Sequence, residues 1–243
     1  MRTRSSNNYF VSHKGELRKA FREINEGARQ YLTTRYGENL ARAVTAQAAT
    51  RFEALIPDLP DVGGEKNWVA KYLPISAWYL TYYETLKVYG KTAEDVGKML
   101  YDLDEAQWAQ YPKSKALAEG ARLFTKPGLE EMQKWAEGTQ RREYPANWVA
   151  EFVPGDREDF DFGYNYTECA LCKFLHSHNA GEVAPYLCVT DFTRSRVCGT
   201  GLVRTQTLAQ GNKVCNFRYK KGRVVAQDWS TEIPAIRDRR QHR

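Results

Sequence analysis

With 243 residues, 42% of them hydrophobic, the chain is long enough to bury a substantial core as one large domain or two small ones, which excludes disorder as its default state. The formal net charge is +6 and the pI near 9.0, but the excess sits largely at the two ends and not in a basic stripe interleaved with aromatics, which argues against a nucleic-acid partner. No apolar run approaches the roughly 20 residues of a membrane-spanning helix, and the N-terminus lacks the apolar stretch of a secretory signal, so a cytoplasmic protein is expected.

Residues 1–12 read as a flexible N-terminal tail, and residues 13–146 as a helical region. Leu17, Ala20, Phe21, Ile24, Ala28, Tyr31 and Leu32 recur at three- and four-residue intervals, the pattern of one buried helical face, and Gly37 is the stop. A second helix spans Glu38 to Leu55, closed by Pro57, Pro60 and Gly63-Gly64. Pro74 suits the first turn of an aromatic-rich helix that ends at Gly90. Its stripe of Trp78, Tyr79, Tyr82 and Tyr83 has the spacing of core residues. Thr92 and Asp95 form a capping arrangement, with Asp in place of Glu or Gln, ahead of a helix carrying Val96, Met99, Leu100 and Leu103. Two short helices broken at Pro112, Pro127-Gly128 and Pro145 complete the region.

Residues 147–230 change texture and read as an α+β region. Phe160, Phe162, Tyr164 and Tyr166 alternate with Asp161, Gly163, Asn165 and Thr167, a strand period. Short helices are expected from Cys169 to His178 and from Glu182 to Leu187. Strands from Leu202 to Ala209 and from Val214 to Tyr219 then pair as a hairpin across Gln210-Gly211-Asn212-Lys213. On the second strand Cys215, Phe217 and Tyr219 share one face, and Val214, Asn216 and Arg218 the other. Val224 and Val225 are read as a final strand, and residues 231–243, with Arg237, Arg239, Arg240 and Arg243, as a basic C-terminal tail. The fold class is therefore α+β: a helical N-terminal half packed with a C-terminal, mainly antiparallel sheet flanked by short helices.

An odd count of five cysteines in a reducing compartment points to thiols used for packing, metal binding or catalysis, not cross-linking. Cys172 and Cys198 are assigned to packing. His176 and His178 lie two apart, cannot both face one pocket, and are given a surface or capping role. Tyr164 and Tyr166 are read as core aromatics, and Glu168 as a weaker acid–base candidate than Asp191.

Cys188-x-x-Asp191, Arg204-Thr-x-Thr-Leu-Ala-x-Gly211 and Cys215-x-Phe-Arg-Tyr219 together resemble the L-2-amino-thiazoline-4-carboxylic acid hydrolase family, with the likeness running over about 160–219 and more loosely over 78–102. Asn216 departs from it, standing where the family pattern has aspartate. The resemblance implies hydrolytic opening of a small cyclic amidine, the thiazoline ring, to a carbamoyl derivative of cysteine; a cyclic imide, lactam or lactone is a related substrate class. Such a reaction needs a nucleophile at an sp² carbon, a proton carrier and a group to hold a carboxylate. Cys188 or Cys215 is the candidate nucleophile, its pKa lowered by Arg204 or Arg218, with Asp191 moving protons. Arg204 is the candidate carboxylate fork. Thr205 and Thr207, on the strand face opposite Arg204, are candidate donors, and Cys169 and Arg218 complete the substrate-binding set.

Two alternatives remain. One is a metal module built from Cys169-x-x-Cys172 with Cys188 and Cys215, and the other is a non-catalytic binder of a small ligand. The chain carries no nucleophile elbow, P-loop, dinucleotide fingerprint or His-Glu-x-x-His, and no cofactor is expected. The expected partner is a small-molecule substrate, with neither nucleic acid nor membrane, and the sequence leaves homo-oligomer formation open.

Overall fold

The computed structural model describes residues 8–156 and 158–241. It is α+β, and the chain divides into two compact units that interleave in sequence: Met1–Leu103 with Ala170–Ala184, and Asp104–Cys169 with Pro185–Arg243. No helix among the described residues is long and apolar enough to cross a membrane.

The first unit is helical. A short α1 (Tyr9–Ser12) is capped by the Asn8 side chain, which accepts the Phe10 N–H at 3.0 Å. Phe10 is fully buried, so the chain is already anchored where the sequence suggested a flexible tail; residues 1–7 lie outside the described residues. Then come α2 (Lys14–Tyr36) and α3 (Glu38–Leu55), separated at Gly37, whose φ of 86° favours glycine. Their apolar faces meet, with Phe21 stacked on Phe52 at 4.3 Å. Next, α4 (Leu73–Lys87) buries Tyr79, Tyr82 and Tyr83 as core, and the Tyr82 hydroxyl donates to Asn25 Oδ1 at 2.7 Å. The expected cap of α5 (Ala93–Gln110) is present: Asp95 Oδ2 accepts the Thr92 N–H at 2.8 Å and Thr92 Oγ1 accepts the Asp95 N–H at 3.2 Å.

The second unit carries α6 (Lys113–Arg122), α7 (Lys126–Thr139), β1 (Val149–Pro154) and β2 (Phe162–Glu168). The chain then gives α8 (Ala170–Ser177) to the first unit and returns with α9 (Ala184–Cys198), β3 (Leu202–Val203), β4 (Cys215–Tyr219) and α10 (Trp229–Gln241). The sheet is antiparallel throughout, in the order β1-β2-β4-β3. Phe162, Tyr164 and Tyr166 oppose Tyr219, Phe217 and Cys215 in register, so one face is almost wholly aromatic. That face packs on Met132 and Ala136 of α7.

Four expectations change. The helix begun near Glu182 continues to Cys198. The strand from Leu202 stops at Val203, because side chains replace the ladder: Asn216 Oδ1 accepts the N–H groups of Thr205 and Gln206 at 3.0 and 2.7 Å, and Thr207 caps a 3₁₀ turn over Leu208–Gln210. Val224 and Val225 form no strand; Val224 is 86% exposed. The basic tail is a helix as far as Gln241, since Ile233 and Ile236, three apart, are both buried. The side chains of Arg239 and Arg240, and all of Arg243, lie outside the described residues.

Candidate active site

Helix α9 places Cys188, Asp191, Phe192 and Ser195 on one side, at i, i+3, i+4 and i+7. Ser195 is buried, and its Oγ accepts the Leu202 N–H at 2.8 Å, tying the start of β3 to the helix. Between them the chain reverses at Gly199 and Gly201, with φ of 65° and 61°; a Cβ on Gly201 would meet the Lys220 carbonyl oxygen at 2.0 Å. Arg204 lies two residues beyond Leu202 and reaches back to the turn of α9 that precedes Ser195.

Its side chain is only 2% exposed. One terminal nitrogen donates to Asp191 Oδ2 and the other to the Cys188 carbonyl oxygen at 3.0 Å. The guanidinium lies 4.7 Å from the Phe192 ring centroid and 5.1 Å from that of Phe217. An ion pair and two ring faces thus offset the desolvation of a buried cation, and Nε alone lacks a partner. The Arg204 backbone is fixed as well: its N–H donates to Gln227 Oε1 at 3.1 Å and its carbonyl accepts from Gln227 Nε2 at 2.7 Å.

The Asp191 side chain keeps 43% of its surface accessible. Burial raises its carboxyl above the ordinary carboxylate value, against the downward pull of the Arg204 charge and hydrogen bond. Cys188 is half-buried, and burial pushes its thiol well above the usual range against the pull of Arg204. Cys215 is buried, and its thiol is pushed up to about 12 by burial, although the Leu208 N–H donates to Sγ at 3.2 Å. Desolvation therefore outweighs the cation, and the lowered thiol pKa expected from the sequence is not found. Cys169, Asp191 and Arg204 lie within electrostatic reach of both thiols.

The structure thus brings Cys188, Asp191, Arg204, Cys215 and Cys169 together and leaves three of the other candidates elsewhere. Arg218 projects from the opposite sheet face, where it donates to the carbonyls of Tyr164 and Phe217 at 3.2 and 2.8 Å and to Asn165 Oδ1 at 3.0 Å. Thr205 is exposed, its Oγ1 accepting from Asn216 Nδ2 at 2.8 Å. Thr207 is buried as the cap of the 3₁₀ turn. Cys172 and Cys198 are buried. His176 and His178 each bond through Nδ1 to the carbonyl four residues back, at 2.7 and 2.9 Å, as caps. Glu168 is ion-paired with Arg142. Among the described residues no group of three or more His, Cys, Asp or Glu is placed to hold a metal ion.

Two features went unread in the sequence. Gln227 is one, a side chain acting as a strand partner. The other is an acidic pair on α5. Glu105 accepts from Thr193 Oγ1 at 2.6 Å and from Arg196, whose other terminal nitrogen donates to the Gln227 carbonyl at 2.8 Å. Its neighbour Asp104 has a buried, unpartnered Oδ2, and its pKa rises to about 7 through burial, then through the charges of Glu105 and Asp191. The run Asp102, Asp104, Glu105 was the available signal, but nothing local ties it to α9.

A search of curated proteins finds no match. The family model of L-2-amino-thiazoline-4-carboxylic acid hydrolase matches residues 75–219, more than half of the chain and a span that contains Cys169, Cys188, Asp191, Arg204 and Cys215, and the chain belongs to that family.

Proposed function

We propose that this chain is a hydrolase that opens a small heterocyclic ring, of the cyclic amidine or thiazoline kind, at a C–S or C–N bond. The observation that carries this reading is the pairing of Cys188 and Asp191 on one face of α9, both reaching solvent, with Asp191 held by a buried arginine. Cys188 is the nucleophile in preference to Cys215, which is buried and already accepts a hydrogen bond at sulfur. Its resting form is the neutral thiol, so the proton leaves as attack develops. Asp191, one turn away and acting as the carboxylate, takes that proton while sulfur bonds to the ring carbon; the ring heteroatom departs with the bonding electron pair and is protonated, the proton on Asp191 making good the one it takes. In the second half Asp191, a carboxylate again, takes a proton from water as oxygen bonds to the same carbon, and the Cys188 sulfur leaves and takes that proton back from Asp191. The net change is addition of one water across the broken ring bond.

Arg204 has both terminal nitrogens committed, which favours a positioning role over that of a substrate clamp. All five cysteines are free, and a site that depends on a thiol suits the cytoplasm. The test is hydrolysis of 2-amino-thiazoline-4-carboxylate and a panel of cyclic imides and lactones by the wild type, Cys188→Ser, Asp191→Asn and Cys215→Ser. Loss of about a hundredfold or more in kcat for the first two variants, with Cys215→Ser retaining turnover, is expected. Wild-type turnover that survives Cys188→Ser overturns the thiol mechanism. A wild type inert on every ring compound that still binds one of them favours the non-catalytic binder.

A further inference from the structure

We propose that Tyr166 is a catalytic residue of this site, donating a proton to the ring heteroatom as it departs; the inference rests on the ring-opening reading above. The β2–β4 register sets Tyr166 directly opposite Cys215, and directly opposed residues project to the same face with Cβ atoms about 5 Å apart. Its ring meets Phe217 edge-on at 5.2 Å, and the guanidinium of Arg204 lies 5.1 Å from that same Phe217 ring, so the phenol and the Arg204–Asp191 pair share one aromatic wall. Tyr164, two residues earlier in the same row, is buried at 3% exposure with its hydroxyl unpartnered, whereas Tyr166 is only partly buried. Of the two phenols, Tyr166 is the one open to a ligand.

The chemistry leaves a place for it. Cys188 gives up its proton to Asp191, the Arg204 guanidinium does not release a proton, and a departing thiolate or amide nitrogen needs a donor that is still protonated. Burial raises the Tyr166 phenol well above its usual value, an effect added to by Tyr219 and Tyr164 on the sheet, Asp191 on α9 and Cys169 at the end of β2. It is therefore in the donor form at neutral pH. As the carbon–heteroatom bond breaks, its electron pair goes to the heteroatom, which takes the phenolic proton; the phenolate then recovers a proton from Asp191, which carries the one taken from Cys188. Charge and protons balance, and Asp191 is ready for water.

The experiment compares steady-state hydrolysis of 2-amino-thiazoline-4-carboxylate, from pH 6 to 11, by the wild type, Tyr166→Phe, Tyr164→Phe and protein with 3,5-difluorotyrosine at position 166. Tyr166→Phe is expected to lower kcat about a hundredfold with KM changed less than about threefold. With the wild-type phenol held well above its usual value, its own alkaline limb falls beyond this range, and the more acidic fluorinated phenol is expected to bring such a limb into it, which a purely structural tyrosine would not do. Tyr164→Phe is expected to retain wild-type kcat. An active wild type with Tyr166→Phe within about threefold in kcat, or a fluorinated protein with the wild-type pH profile, overturns the role of Tyr166 alone. An inert wild type overturns the ring-opening reading and this inference with it.

Discussion

The carboxamide of Gln227 lies against the backbone of Arg204 as a neighbouring strand would, accepting its N–H at 3.1 Å and donating to its carbonyl at 2.7 Å. β3 ends at Val203, so Arg204 has no ladder partner, and one side chain supplies both of its backbone bonds. Gln227 is itself held: Nε2 also donates to Glu232 at 2.8 Å, and Arg196 donates to its carbonyl. Gln227 and Glu232 lie beyond the matched span 75–219, so a segment outside the family motif braces the residue that fixes Asp191.

Gln227→Ala should therefore destabilise the protein by about 1–3 kcal/mol, the cost of leaving buried polar groups unpaired, and speed hydrogen exchange at the Arg204 amide. Gln227→Glu keeps the acceptor but loses the donor and faces Glu232 with a second carboxylate, so it should be at least as damaging. Urea denaturation and exchange mass spectrometry read both effects. An unchanged midpoint with unchanged exchange would show that the brace is dispensable.

Arg204→Lys preserves charge but not function. A guanidinium reaches Asp191 and the Cys188 carbonyl at once and sits over the rings of Phe192 and Phe217; an ammonium on a flexible stem cannot do all of this. The carboxylate loses its fixed orientation, and kcat/KM should fall by roughly tenfold to a hundredfold. Recovery of wild-type kinetics in the lysine variant would reduce Arg204 to a counter-charge.

At pH 7.5 both Cys188 and Cys215 should be thiols, since burial raises the first well above its usual value and the second to about 12. Alkylation by iodoacetamide, followed by peptide mapping, should then run at least about tenfold slower at these positions than in urea-unfolded protein, and accelerate with pH. Fast modification of Cys188 at neutral pH would mean a resting thiolate and remove the need for Asp191 as base.

Asp104 gives stability a pH dependence of definite sign. Its carboxyl is raised in the folded state, from 3.8 to about 7, so between those values the native protein holds a proton that the unfolded chain has released. The contribution is present below about pH 4 and is lost as pH rises toward 7, at most about 4 kcal/mol over the window. Asp104→Asn should flatten that slope and be the more stable protein above pH 7. Parallel denaturation curves for the two proteins from pH 4 to 8 would refute the assignment.

Much of the fold was legible because local rules set it. Gly37 divides α2 from α3 at the expected residue, and the period-two row from Phe162 to Tyr166 is β2. What escaped depends on distant partners. β3 is short because Asn216 and Thr207 satisfy backbone that a longer ladder would have used. The C-terminal helix was hidden by its arginines and by Pro234, although Ile233 and Ile236 carry the spacing of a buried face. The Cys188–Asp191 pair could be read from three-residue spacing, whereas Gln227 could not, since a side chain acting as a strand leaves no period.

Asn216, where the resemblance leads one to expect an aspartate, tests how far that motif is structural. Its Oδ1 accepts from both Thr205 and Gln206 while Nδ2 donates to Thr205 Oγ1, so its side-chain hydrogen bonds go to the loop that follows Arg204. In Asn216→Asp the two N–H bonds become charge-assisted and the Thr205 hydroxyl turns round to donate to the carboxylate. The fold should be kept, stability should change by less than about 1 kcal/mol, and kcat should stay within about threefold of the wild type. Asn216→Ala removes both acceptors, and about 1 kcal/mol of stability should go with them, together with activity as Arg204 loosens. If Asn216→Asp instead raised or shifted the pH optimum of turnover while stability held, an anion at this position would take part in the chemistry, and the loop-folding role would be secondary.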